Sequence, residues 1–114
     1  MKIRKAMCAV IPPKLARGAP AMAAHAAQAA ELLKTLGNEQ RLMILCQLLQ
    51  GPLSVGEINE RVPLSQSALS QHLAKLREAR IVTTERESQS VRYSLPAGVV
   101  TRLMATLYEE FCAY

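Results

Sequence analysis

No stretch of this 114-residue chain approaches the roughly 20 consecutive apolar residues that a membrane-spanning helix needs. Lys2, Arg4 and Lys5 precede a short apolar run, but Pro12 and Pro13 stop it before it reaches the length of a secretory signal. The three cysteines, Cys8, Cys46 and Cys112, do not make the disulfide framework of a small secreted domain. These absences point to the cytoplasm, where retained thiols serve either packing or chemistry. There is no glycine-rich phosphate loop and no nucleophile–base grouping, so no catalytic residue is assigned and an enzyme is not expected. Tryptophan is absent, aromatic residues make up 4% of the chain, and no internal repeat is present.

Alanine and leucine dominate what is there, and they favour helices. Half of the residues are apolar and 20% are charged, which suits one packed domain. The formal net charge is +5, but its distribution is uneven. Lys2, Arg4, Lys5, Lys14 and Arg17 meet no acid before residue 21, whereas basic and acidic residues balance over 21–114. Residues 1–21 therefore read as a flexible basic tail, either solubilising or touching DNA phosphates, and residues 22–114 as the folded domain. Any case for nucleic acid must come from local pattern rather than net charge.

The pattern predicts a helix over 22–36, with Gly37 in a left-handed C-terminal position and Asn38 as the next cap. A second helix over 39–50 carries Leu42, Leu45 and Leu49 at helical spacing and ends at Gly51-Pro52. Ser54 and Glu57 form a capping-box pattern that opens a short third helix to about Arg61. After the turn at 62–64, Ser65 caps a fourth helix over 66–79. Residues 81–87 and 90–95 alternate as a β-hairpin about Ser88-Gln89. A last helix over 97–113 places Val100, Leu103, Met104, Leu107, Tyr108 and Phe111 on one stripe. The expected fold is mainly α with a β-hairpin wing, in the order α-α-α-α-β-β-α: a winged helix-turn-helix.

On the fourth helix Ala68, Leu69, Leu73 and Leu76 form the inward stripe. Gln66, Ser67, Ser70, Gln71 and Lys75 lie opposite, with His72 flanking, and no acid occurs between Ser65 and Arg77. Such a face is an ordinary solvated surface on many helices. Between a capped helix and a hairpin it becomes a DNA-reading surface, because amides pair with base edges and lysine meets guanine or phosphate. Arg86 and Arg92 on the wing either approach the DNA or stabilise a solvated hairpin beside Glu85 and Glu87. One such module reads few base pairs, so a homodimer on double-stranded operator DNA is expected. The last helix and the alanine-rich first helix are candidates for its two-fold interface, unless the stripe packs within its own domain. A protein-interaction winged helix that does not bind DNA is the competing class, and acids on the fourth helix would favour it.

The segments 32–36, Arg41-Leu42, 54–57 and 65–73, in this order of elements, resemble the ArsR/SmtB family of bacterial repressors over about residues 22–114. Metal sensing is common in that family, but the ligands it uses are missing here: the third helix has no cysteine and the last helix no histidine or aspartate. His25 and His72 are not spaced as a site, so neither a metal nor a cofactor is expected. A single cysteine on a helix is usually a small apolar packing residue. The segments ending in Cys46 and Cys112 resemble those of a sulfide-responsive subgroup, however, and the resemblance implies that these two residues are a dithiol switch. A persulfide or polysulfide effector would link them through a disulfide or a longer sulfur chain and release the DNA. A general thiol or peroxide-sensing repressor, and a DNA-binding anti-repressor without an effector, are the alternatives. Cys8 matches nothing in the motif. Arg80 stands where the family usually has glycine, which raises the question of how the fourth helix ends.

Overall fold

The computed structural model describes residues 18–112. The expected basic tail to residue 17, with Cys8, lies outside that range. The elements are α1 (Ala19–Ala23), α2 (Ala26–Leu36), α3 (Glu39–Leu48), β1 (Leu53–Ser54), α4 (Val55–Arg61), α5 (Gln66–Glu78), β2 (Thr83–Glu87), β3 (Ser90–Ser94) and α6 (Val99–Phe111). This is the winged helix-turn-helix that the sequence pattern predicts.

The differences are local. The first helix begins at Ala19 and breaks at Ala24-His25, where His25 takes a non-helical φ of −124° and caps α2. Alanine repeats give no apolar phase that could reveal such a break. The second helix ends at Leu48, two residues early, and the last spans Val99–Phe111. A third strand, β1, adds to the hairpin in the antiparallel order β1-β3-β2, pairing Leu53 with Tyr93 and Ser54 with Arg92. Two residues are too few to show a period.

The leucine and isoleucine phases of the helices meet in one core. Ile44, Leu45, Ile58, Leu69 and Leu76 are wholly excluded from solvent, and Leu73, Val82 and Leu48 nearly so. The α5 stripe is buried as its spacing predicts, with Ala68 half-covered. On α6, Val100 and Met104 join the core, while Leu107, Tyr108 and Phe111 remain exposed. The stripe on that helix is therefore only partly used within the chain.

Helix ends correct one expectation. Gly37 is not left-handed: its φ is −77°, and a Cβ there would lie tightly, 3.2 Å from the Leu33 carbonyl oxygen. The left-handed terminus belongs to α5, with Arg80 at φ +60°. The Arg80 N–H donates to the Arg77 carbonyl at 2.9 Å, and the Ile81 N–H to the Leu76 carbonyl at 2.9 Å. These two bonds, with buried Leu76 and Ile81, make a Schellman ending built on a non-glycine residue. Arginine has a Cβ that crowds this backbone region. Arg80→Gly is therefore expected to raise stability by about 0.5–1 kcal/mol after the extra entropy of the unfolded glycine is offset. Urea denaturation reads this as a higher midpoint; a lower one contradicts the assignment.

Candidate nucleic-acid interface and thiol groove

The helix-turn-helix is fixed at each joint. The Ser54 N–H donates to Glu57 Oε1 at 2.9 Å, and the Glu57 N–H donates to Ser54 Oγ at 3.2 Å, completing the capping box at the start of α4. The bond from Ser54 holds the Glu57 carboxyl below its ordinary range, with help from Arg92 and Arg61. Asn59 Nδ2 donates to the Leu64 carbonyl at 2.8 Å, tying the turn back onto α4. Ser65 Oγ accepts from the Ala68 N–H at 3.2 Å and starts α5. Nothing in the apolar pattern points to Asn59, although asparagine in front of a turn is a residue type that makes such bonds.

With Leu69, Leu73 and Leu76 inward, α5 presents Gln66, Ser67, Ser70, Gln71 and Lys75 to solvent. The amides and hydroxyls lie toward its N-terminal half, where the helix dipole also favours an anion. His72 is half-buried at the edge of this face. Burial lowers its pKa from the ordinary 6.5, and the charges of Arg41 and Lys75 lower it further. Three nitrogenous groups from α3 and α5 thus share one region beside the exposed face.

The two wing arginines separate. Arg86 is exposed on β2, opposite Val91. Arg92 sits opposite Glu85 and beside Ser54, where Nη2 donates to the Pro52 carbonyl at 3.0 Å and lies 3.6 Å from Glu57 Oε1. Its guanidinium therefore fastens β3 to the start of α4. A pair this exposed contributes little stability by itself.

The thiols form a second place of interest. Cys46 is on α3 and half-buried; Cys112 follows α6 and is exposed; both are free. They line one groove of about 250 Å3, together with Leu42, Met43, Met104, Leu107, Tyr108 and Phe111. Sequence separation conceals this meeting, which packing of α6 against α3 brings about. A direct disulfide needs Cα atoms about 4.4–6.8 Å apart, and each added sulfur widens the gap that can be bridged. Among the described residues, no three His, Cys, Asp or Glu side chains gather as a metal site.

Comparison with known proteins follows the same lines. The family model described as bacterial regulatory protein, arsR family, matches residues 38–84. The transcriptional activator HlyU of Vibrio cholerae is 47% identical over 100 residues, covering 84% of this chain and 93% of that protein. The biofilm growth-associated repressor of Agrobacterium fabrum is 47% identical over 94 residues, covering 82% of this chain and 80% of that protein. The crystal structure of the transcriptional repressor BigR from Xylella fastidiosa superposes with a TM-score of 0.75 at 40% identity, covering 83% of this chain and 97% of that one.

The His72 environment gives a direct test. Its ring should titrate below 6.5, as read from its imidazole signals by NMR across pH 4–8. The folded ring binds its proton less readily than the unfolded one. Its contribution to stability is therefore complete above 6.5 and is lost as pH falls through the lower folded value. A midpoint above 6.5 contradicts this environment.

Proposed function

The chain belongs to the arsR family of bacterial regulatory proteins, DNA-binding transcriptional regulators and not enzymes, and on that premise we propose that it is a repressor released from its operator when reactive sulfur links Cys46 to Cys112. The single observation supporting the switch is that the two free thiols, from α3 and from the end of α6, line the same apolar groove.

In this reading α5 enters the major groove of double-stranded operator DNA. Gln66, Ser67, Ser70 and Gln71 reach base edges and sugar–phosphate, His72 and Lys75 meet phosphates, and Arg86 reaches the DNA from the wing. Arg92 takes part by holding the wing in place. The working form is a homodimer, whose interface includes the apolar side chains left uncovered on α6 and α2: Leu107, Tyr108, Phe111 and Leu33. No helix among the described residues is long and apolar enough to cross a membrane. The site of action is the cytoplasm.

The chemistry balances with an organic persulfide, RSSH, as the oxidant. One thiolate attacks the outer sulfur and RSH leaves, so that this cysteine becomes a persulfide. The second thiolate attacks the protein-bound sulfur and hydrosulfide leaves, forming a disulfide. Each further sulfur in the bridge consumes one more RSSH and releases one more RSH. The link joins α3 to the proposed interface helix and so changes how the two α5 helices of a dimer are presented. If the two Cα atoms rest farther apart than a direct disulfide spans, a longer sulfur chain closes the gap, which would favour persulfide over peroxide.

The relatives include one named an activator as well as named repressors. A second reading, a DNA-binding anti-repressor without an effector, is therefore tested alongside.

Reduced protein is exposed separately to an alkyl persulfide and to hydrogen peroxide, with intact mass and operator affinity read for each. Persulfide should give an intramolecular Cys46–Cys112 link carrying extra sulfur and weaken operator binding by at least about tenfold, within the usual range of allosteric coupling. Cys46→Ser and Cys112→Ser should bind the operator and fail to respond. Unchanged affinity after complete linking contradicts the switch and favours the anti-repressor. Equal linking and release by peroxide favours a general oxidant sensor.

The DNA face has its own test. Gln71→Ala should cost operator binding about 1–3 kcal/mol and random duplex little, whereas Lys75→Ala should weaken both alike. Equal effects of the two variants on operator and random DNA contradict base reading by α5.

A further inference from the structure

Arg41 lies outside α5, in the first turn of α3, and the sequence pattern gives it no part in DNA contact. Its backbone N–H donates to Asn38 Oδ1 at 3.0 Å, and its Nε donates to the Thr35 carbonyl at 2.7 Å. The short Nε bond pins the guanidinium across the α2–α3 junction. Among the described residues, no hydrogen bond engages its terminal amino groups. The one ion pair within 4.0 Å among the described residues is Arg92–Glu57, so Arg41 has no carboxylate partner there.

The side chain lines an open groove of about 780 Å3 between α2, α3 and α5, and Lys75 of α5 lines it too. Lys34 adds a third cation, and Glu31 and Glu78 are the acids on the same lining. Neither acid pairs with Arg41 within 4.0 Å. Arg41 and Lys75 both act electrostatically on the His72 ring. A pre-oriented planar fork, half-buried and without an acidic partner, beside the exposed cationic edge of α5, is matched to a phosphodiester oxygen pair.

We propose that Arg41 binds a phosphate of the DNA backbone, next to the contacts made by Lys75 and His72, and acts as a sequence-independent anchor for α5. The anchor spans two elements, so it fixes the angle of α5 on the duplex while carrying no sequence information itself. The inference rests on α5 as the DNA-reading helix.

The test uses the full chain with reduced thiols, an operator duplex, a random-sequence duplex and a range of salt. Arg41→Gln should weaken binding to both duplexes by a similar factor and lower the slope of log affinity against log salt by about 0.9 per bound protomer. Arg41→Lys keeps the charge and loses the planar fork, and should retain the slope. An unchanged slope in Arg41→Gln, or a loss confined to the operator, overturns the assignment. If the glutamine variant does not fold, as read by circular dichroism, the wild-type protein carries the test. Its Arg41 guanidinium NMR signals should then shift on titration with the random duplex, and unmoved signals overturn the proposal. Gln71→Ala separates the two readings. If it weakens operator binding and Arg41→Gln leaves the slope intact, only the Arg41 anchor fails. If neither variant affects DNA binding, α5 is not the reading helix.

Discussion

Burial of α3 is the constraint on which the other elements depend. Ile44 and Leu45 are fully excluded from solvent and Leu48 almost so. Around them pack α2, α4, α5 and α6. Each such side chain contributes roughly 1.5–3 kcal/mol when buried. A single helix thus carries the positions of both α5, with its polar outer face, and α6, with its uncovered apolar end. A close-packed interior resists continuous deformation, so a displacement imposed at one side of α3 is passed to the other.

That geometry gives the two candidate regions a shared support. Near its start α3 presents Arg41 to the groove against α5; farther along, it presents Cys46 to the groove against α6. A sulfur bridge closed over the second groove would add a covalent tether between α3 and α6, whose packing within the chain otherwise rests on Val100, Met104 and half-buried Leu103. Coupling between distant sites typically amounts to 1–3 kcal/mol. A change of that size needs no refolding of α5, only a different presentation of helices that are already formed.

Much of the fold is legible in the residues. Helical spacing marks the faces of α5 and α6 but only in part that of α3, where Ile44 and Leu48 rather than Leu42 and Leu49 join Leu45 in the core, and the Ser54–Glu57 and Ser65 caps locate the starts of the two helix-turn-helix helices. Those signals are local, and local hydrogen bonds decide them. What escapes is set by tertiary contact. The strand β1 exists only because β3 lies beside it, and the role of Arg92 follows from the Pro52 carbonyl and Glu57 that this pairing brings near. Arg80 at positive φ and Gly37 at negative φ exchange the roles that residue preference assigns them. In the first case the buried Ile81–Leu76 contact holds the ending, and in the second the Leu33 carbonyl lies close enough that a Cβ would be tightly packed against it. The exposed polar face of α5 was readable as a pattern, whereas the grooves holding Arg41 and the two thiols required the packed helices.

The most direct test of the account measures the separation of the two α5 helices in the proposed dimer. A spin label introduced at exposed Ala74 as a non-cysteine amino acid leaves Cys46 and Cys112 free to react. Pulsed electron resonance then gives the distance distribution for reduced and persulfide-linked protein. The account predicts that linking shifts or broadens that distribution in the same samples that lose operator affinity. An identical distribution in both states, with affinity lost, would contradict it.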